Sequence, residues 1–269
     1  MDSKVGPFLR WTGSKSWLVS NHIERFLPTK YNDYHEPFLG GGSVYFHLRP
    51  KSISYLMDVN EDLINTYQQI RDYPELVISN LSKLKNTEEE YYRIRSSQPR
   101  TNHTRAAKFI YLNKTSFNGI YRVNSKGIYN VPYGYRKNID IVDRTNLLGI
   151  SKALRGTEIL CQDFQASINN VKEEDLVFLD PPYTVAHENN GFIAYNQKLF
   201  TLEDQYRLRD LIKIINERKA YFILTNACHP KIKELYQDVG AISKVSRYSR
   251  VGGRNKTRGI VNEYIITNC

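Results

Sequence analysis

Cysteine is scarce: the 269 residues include three, Cys161, Cys228 and Cys269. The number is odd and no two are close in sequence, so no disulfide framework is suggested. The six histidines never fall at HxxxH or HExxH spacing, which leaves the chain without a helical metal signature. No apolar run approaches the roughly 18 residues that read as a membrane-spanning helix. The opening residues, Met1 to Trp11, lack the apolar stretch of a signal peptide. These absences set the expectation of a reduced, cytoplasmic protein with no membrane and no metal. Internal repeats and low-complexity tracts are also missing, which excludes solenoids and disordered arrays. Acidic residues are outnumbered, 28 against 38 Lys and Arg, for a formal net charge of +10. Such an excess favours a polyanionic partner, because a positive field concentrates phosphates. Basic proteins that bind nothing acidic share that charge.

What the chain does have is apolar and aromatic: 41% hydrophobic residues, with 20 Tyr and 11 Phe. That supports one large core, or a core with a smaller inserted domain. Short β-rich runs at 33–38, 53–58, 158–161, 176–180, 221–225 and 263–267 alternate with helical patterns, and several end in an acidic residue or a Gly/Pro turn. Thr201-Leu-Glu-Asp204 opens a helix whose Leu208, Leu211, Ile212 and Ile215 share one face. The alternation predicts an α/β domain with a mostly parallel sheet. Between residues 61 and 149 the strand pattern stops. Thr87-Glu-Glu-Glu90 predicts a capping box. Thr104 is expected to open a helix carrying Ala107, Phe109, Ile110 and Leu112. A Gly/Asn/Pro-containing stretch then runs to Gly134. Residues 1–60 and 150–269 are therefore expected to form the α/β domain, and 61–149 a helical insertion with one long functional loop.

Asp180-Pro-Pro-Tyr183 is the sharpest chemical signal. It follows the apolar run Leu176-Val-Phe-Leu179 and cannot continue a strand, because each proline fixes φ and removes a donor. The stiff elbow presents the Asp180 carboxylate and the Pro181 carbonyl as paired acceptors, with the Tyr183 ring as a stacking surface; a plain strand-ending turn is the simpler alternative. An amino group on an aromatic ring suits that arrangement. Glu36-Pro-Phe-Leu-Gly-Gly-Gly-Ser43 follows a predicted strand and precedes a helical 44–48. Glycines there serve either an ordinary turn or the close approach of a ligand to backbone. Asp58, in Leu56-Met-Asp-Val-Asn60, suits either ribose hydroxyls or the N-cap of the next helix.

Four blocks stand in order: Phe8-Leu-Arg-Trp-Thr-Gly-Ser-Lys15, Glu36 to Ser43, Asn118-Gly-Ile-Tyr-Arg122 with Asn130-Val-Pro-Tyr-Gly134, and Asp180 to Tyr183. Over nearly the whole chain, this order resembles the α group of Dam-type DNA adenine N6-methyltransferases, most of all the GATC-methylating enzymes of DpnII-type restriction systems. The resemblance implies a Rossmann-like methyltransferase sheet with an inserted helical target-recognition domain. It implies S-adenosylmethionine as cofactor, double-stranded DNA as substrate and a cognate restriction endonuclease as partner. Trp11, Lys15, Phe38, Gly40, Gly42, Asp58, Asp163, Phe164, Asp180 and Tyr195 are implied at the cofactor, with Lys15 on its carboxylate, Asp58 on the ribose, and Asp163 and Phe164 on its adenine. Asp180, Pro181, Pro182 and Tyr183 are implied as the catalytic block, and Tyr195 as a tyrosine closing the site. Arg10, Phe117, Asn118, Ile120, Arg122 and Pro132 are implied at the DNA bases: Phe117 inserted where the adenine leaves, Asn118 on the orphaned thymine, Arg122 on a guanine.

By residue pattern alone, Lys15 also reads as a solvated helix-start charge, Trp11 and Tyr195 as core, and the Asn118-Gly119 turn as an ordinary loop. The basic run from Arg250 to Arg258, containing Arg254 and Lys256, reads as a hairpin-like phosphate contact or a solvated loop. Two other functions fit the motifs. DPPY also suits N4 of cytosine, and a DNA-binding protein of methyltransferase descent would need only the fold. An intact glycine loop and elbow weigh against the latter.

Overall fold

The computed structural model of the chain describes residues 5–124, 126–184, 200–248 and 259–269. Among them, seven strands form one sheet: β1 (Tyr34–Glu36), β2 (Ser54–Asp58), β3 (Glu158–Cys161), β4 (Leu176–Leu179), β5 (Tyr221–Ala227), β6 (Ala241–Tyr248) and β7 (Ile260–Thr267). Their order is β3-β2-β1-β4-β5-β7-β6. β1 is parallel to β2 and β4, and β4 to β5, whereas β7 runs antiparallel to both β5 and β6. This is the expected α/β fold. All six expected strands are present, with β1 shorter and β5 and β7 longer than their sequence runs. β6 was not expected. Its Ala241-Ile-Ser-Lys-Val-Ser-Arg-Tyr248 is polar because it is an edge strand, paired only with β7, and Lys and Arg are the residues that blunt an edge. β4 shows the opposite case: all four residues are buried, so it reads as an unbroken apolar run.

The helices are α1 (Ser16–Asn21), α2 (Ser43–Leu48), α3 (Glu61–Asp72), α4 (Pro74–Leu81), α5 (Glu88–Ser96), α6 (Asn102–Thr115), α7 (Arg144–Ala153), α8 (Leu202–Glu217) and α9 (Pro230–Tyr236). α8 starts as its sequence predicts. Thr201 Oγ1 accepts the Asp204 N–H at 3.2 Å, and Asp204 accepts the Thr201 N–H at 2.8 Å. At α5 only half of the predicted box forms. Thr87 accepts from Glu90 N at 3.3 Å, but the Glu90 carboxylate turns to Arg93 at 2.7 Å. α6 begins earlier than predicted. Thr101 is its cap, and Thr104 lies inside the first turn with its hydroxyl accepting from Thr101 N at 3.3 Å. Two threonines three residues apart offer the same chemistry, and only their mutual bond decides between them.

The chain divides into two compact units. One comprises Met1–Ser16, Gly40–Arg49 and Asp58–Cys161, the other Trp17–Leu39, Pro50–Met57 and Gln162–Cys269. In the first, α6 is buried nearly all round: Ala106, Ala107, Phe109, Ile110, Tyr111 and Leu112 are core residues, as a central helix requires. In the second, Leu208, Leu211, Ile212 and Ile215 of α8 pack in one cluster with Val177 and Leu179 of β4 and Phe222 and Leu224 of β5. Each such side chain contributes about 1.5–3 kcal/mol by burial. The cluster takes in Leu179, the last residue of β4 before Asp180.

Candidate active site

The strand order reverses between β1 and β4, which are parallel neighbours. Ligands of open α/β sheets bind beyond the carboxyl ends of strands at such a switch point. β1 leads into the glycine turn, and β4 into Asp180-Pro-Pro-Tyr183.

In the first unit, the glycine turn is shaped by Trp11. Gly40 has φ of +46°, and a Cβ there would stand 2.8 Å from Cδ1 and Nε1 of the indole, so both conformation and space exclude a side chain. Trp11 is half-buried and stacks on Tyr121, with ring centroids 5.6 Å apart. Gly42, also left-handed at φ 65°, is the N-cap of α2. Lys15 is buried, not a solvated helix-start charge: it is 4% exposed, and Nζ donates to the Gly13 carbonyl at 3.0 Å. A buried ammonium is costly unless it serves an anion or a set of acceptors.

Asp58 ends β2 and reaches back to the same turn. Its Oδ2 accepts the Gly40 N–H at 3.0 Å and its Oδ1 the Asn60 N–H at 2.9 Å. It does not cap α3. That position belongs to Asn60, whose side chain accepts from Leu63 N at 3.1 Å. Burial raises the Asp58 carboxyl above the usual aspartate range, against the opposing pull of backbone N–H groups of Asn60, Gly40 and Val59.

The residues expected at the DNA bases also lie in this unit. Asn118 is left-handed, at φ 56° and ψ 9°, a conformation that asparagine tolerates. Phe117 beside it is 51% exposed, unusual for so large an apolar ring. Its backbone N–H bonds the Pro132 carbonyl at 2.9 Å. Ser116 bridges Tyr133, and Val123 bridges Tyr129, so the two halves of the segment face each other. Arg122 is exposed and donates from Nε to Asn130 Oδ1 at 2.8 Å. Pro132 is exposed and Ile120 half-buried. Arg10 is brought to this turn by a residue that the sequence reading missed. The buried Asn113 accepts from Arg10 N at 2.8 Å and donates to the carbonyls of Arg10 at 2.8 Å and Gly119 at 3.3 Å.

In the second unit, Phe38 stacks on Phe164 at 5.2 Å between ring centroids. Asp163 caps the short helix Phe164–Asn169 by accepting from Gln165 N at 3.0 Å. It also pairs with Arg207 at 2.8 Å, whose guanidinium lies 4.9 Å over the Phe164 ring. Arg207, on α8, has no local signal in the sequence. Asp180 is half-buried, and its Oδ1 accepts the Thr225 hydroxyl at 2.7 Å. After the elbow, Thr184 accepts from the buried Gln205 Nε2 at 2.9 Å. The Tyr183 hydroxyl donates to Glu263. Burial, with the carboxylates of Glu263 and Asp180 nearby, raises this phenol well above its ordinary value. Tyr195 and the basic run 250–258 lie outside the described residues. Among the described residues, no group of three or more His, Cys, Asp and Glu is placed to hold a metal, and no helix is long and apolar enough to cross a membrane.

The mixed seven-stranded sheet is that of a Rossmann-like methyltransferase. The D12 class N6 adenine-specific DNA methyltransferase family matches residues 11–250, and the chain belongs to it. It is 38% identical to a Type II methyltransferase of Lactococcus lactis subsp. cremoris, over 97% of this chain and 95% of that one. It is 37% identical to a Type II methyltransferase of Methanocaldococcus jannaschii, over 83% and 85%. It is 30% identical to the DNA adenine methylase of Escherichia coli strain K12, over 87% and 85%. The enzyme thus methylates N6 of adenine in DNA, with S-adenosylmethionine as methyl donor, rather than N4 of cytosine.

Proposed function

We propose that the enzyme methylates the adenine of a GATC-type duplex site, as the modifying half of a cytoplasmic type II system with a cognate restriction endonuclease. The observation that carries the catalytic assignment is the elbow: Asp180 and Tyr183 directly follow the buried β4, each held by a buried residue, Thr225 and Glu263. The amino lone pair of adenine is delocalised into its ring. Hydrogen bonds from N6 to the Asp180 carboxylate and the Pro181 carbonyl localise that lone pair. They strengthen as positive charge develops on N6, so they stabilise the transition state more than the ground state. Pro182 stiffens the elbow and the Tyr183 ring stacks on the base. S-adenosylmethionine supplies the electrophilic methyl group when bound.

The donor set suits that cofactor. Lys15 offers a buried cation for its carboxylate. Asp58 offers carboxylate lone-pair capacity beyond that taken by its backbone N–H donors for ribose hydroxyls. The Phe38 and Phe164 pair, with Asp163, offers an apolar and an acceptor surface for its adenine. Trp11, Gly40 and Gly42 shape the turn, and Tyr195 closes the site.

The substrate adenine has to leave the duplex, at a few kcal/mol of unstacking and unpairing. The exposed Phe117 refills the gap, Asn118 meets the orphaned thymine, and Arg10, Ile120 and Pro132 contact neighbouring bases. The Arg122 guanidinium matches guanine O6 and N7. This suits a guanine in the site, and the order of the four sequence blocks, which resembles that of GATC-methylating enzymes, narrows the choice to GATC. The endonuclease partner rests on the names of the two Type II relatives.

Tritiated methyl donor and a panel of duplexes test this reading, after digestion to nucleosides. Label is expected in N6-methyl-2′-deoxyadenosine from GATC duplexes. Label in adenine of other duplexes alone removes the choice of site.

A further inference from the structure

The catalytic tyrosine is held from the far end of the chain. Tyr183 donates its hydroxyl to one oxygen of Glu263, and the other oxygen accepts from Arg247 Nε. Glu263 is 1% exposed, so its charge depends on these partners and not on water. The Arg247 guanidinium lies 5.8 Å over the Trp17 ring.

Register explains the grouping. Val245 faces Glu263 and Arg247 faces Val261 in the β6–β7 pair, so Arg247 and Glu263 are diagonal neighbours on one face, since side chains alternate with period two. Ala227 faces Glu263 and Ile265 faces Thr225 in the β5–β7 pair, which puts Thr225 on that face too. One face of the antiparallel strands thus carries the partner of Asp180 and the partner of Tyr183. Because burial and nearby carboxylates raise the phenol, the proton stays on Tyr183 and the tyrosine is the donor.

A phenol ring has two torsions: holding its oxygen fixes the first, and because the conjugated O–H prefers to lie in the ring plane, the direction of the Glu263 acceptor sets the second. We propose that Glu263 is a positioning residue for methyl transfer: held by Arg247, it sets the plane of the Tyr183 ring against the target base. This rests on the reading of Asp180 to Tyr183 as the catalytic block.

The test is a double-mutant cycle in single-turnover methylation of an adenine duplex by the full chain. Wild-type labelling of adenine, lost in Asp180→Ala, checks the underlying reading first. Tyr183→Phe leaves the Glu263–Arg247 pair intact and is expected to slow transfer about tenfold, with KM for DNA within twofold. Glu263→Leu is expected to slow it at least as much. Glu263→Gln, which keeps an acceptor, should retain a rate within about threefold of wild type. The deciding arm is Glu263→Leu in the Tyr183→Phe background, where the loss of Glu263 is expected to add less than twofold. An equal further loss in both backgrounds overturns the proposal, because Glu263 would then only stabilise the hairpin. If Glu263→Leu does not fold, Tyr183→Phe and Glu263→Gln decide instead. A full rate in Tyr183→Phe, or a tenfold loss in Glu263→Gln at unchanged thermal stability, overturns it equally.

Discussion

Thr225 donates its hydroxyl to Asp180 Oδ1 at 2.7 Å from a fully buried position on β5. The bond fixes which way the carboxylate faces. Thr225→Val keeps the shape and removes the donor. The expected loss is about 1.5 kcal/mol of transition-state stabilisation, roughly tenfold in single-turnover rate. DNA affinity in a gel-shift titration should stay within twofold, because phosphates supply most of it. An unchanged rate would show that Asp180 is oriented by other groups.

The proposed ribose role of Asp58 predicts a pH dependence of cofactor affinity with a definite sign. Its carboxyl is raised by burial, and the ionised form is the one able to accept from ribose hydroxyls. Affinity for S-adenosylhomocysteine should therefore be full at high pH. It should fall as pH drops through a midpoint above the ordinary aspartate range. Folding follows the opposite sign: between the unfolded and the raised folded value the native state holds the extra proton, so this group's contribution to stability falls as pH rises. Calorimetric titrations from pH 5 to 8 measure the first effect. Asp58→Asn should bind at least tenfold more weakly at pH 8 and show a flat profile, and a wild-type slope in that variant would assign the titration elsewhere.

Gly40→Ala places a methyl group 2.8 Å from the Trp11 indole at a φ of +46°. Strain of that kind costs about 1–3 kcal/mol, which at roughly 2 °C per kcal/mol for a chain of this size lowers the unfolding midpoint by about 2–6 °C. Cofactor affinity should fall with it. Differential scanning fluorimetry with and without S-adenosylhomocysteine separates the two losses, and a variant as stable and as tightly bound as wild type would contradict the packing described.

Arg122→Ala should relax discrimination at one guanine by about 1–3 kcal/mol while the preferred duplex is still methylated slowly. Lys256→Ala, in the basic run, should instead weaken binding on every duplex and make its salt dependence shallower. Methylation rates on a library with each base pair varied, at two salt concentrations, distinguish the two patterns. Uniform loss in Arg122→Ala would make that arginine a phosphate clamp.

The parts of the molecule legible in the sequence are those whose signal is local. β4 followed by Pro181 and Pro182, the glycines between β1 and α2, and the Thr201 cap all announce themselves within a few residues. β6 did not, because an edge strand alternates weakly and carries Lys244 and Arg247. Asn113, Arg207, Thr225 and Glu263 were also illegible as parts of the site. Their partners are Arg10, Asp163, Asp180 and Tyr183, all distant in sequence, and no spacing rule links them. Asp58 was ambiguous for another reason. An acidic residue before a helix suits a cap, and only the bond that Leu63 N–H donates to Asn60 Oδ1 shows that the role is already filled.

Because the one amide of Asn113 holds both residue 10 and the turn at Gly119, the proposed recognition segment is not expected to be retooled loop by loop. A Cβ at Gly119 would meet Arg10 Cβ at 2.7 Å, so the two strands of chain have to drift together. A chimera importing 117–134 from a relative would inherit the proposed base-reading groups but not their footing. The smallest exchangeable unit is discontinuous: the N-terminal block around Arg10, the end of α6 at Asn113, and the segment through Pro132. New specificities are therefore expected to arise by coordinated change in all three pieces, not by the swapping of a single cassette.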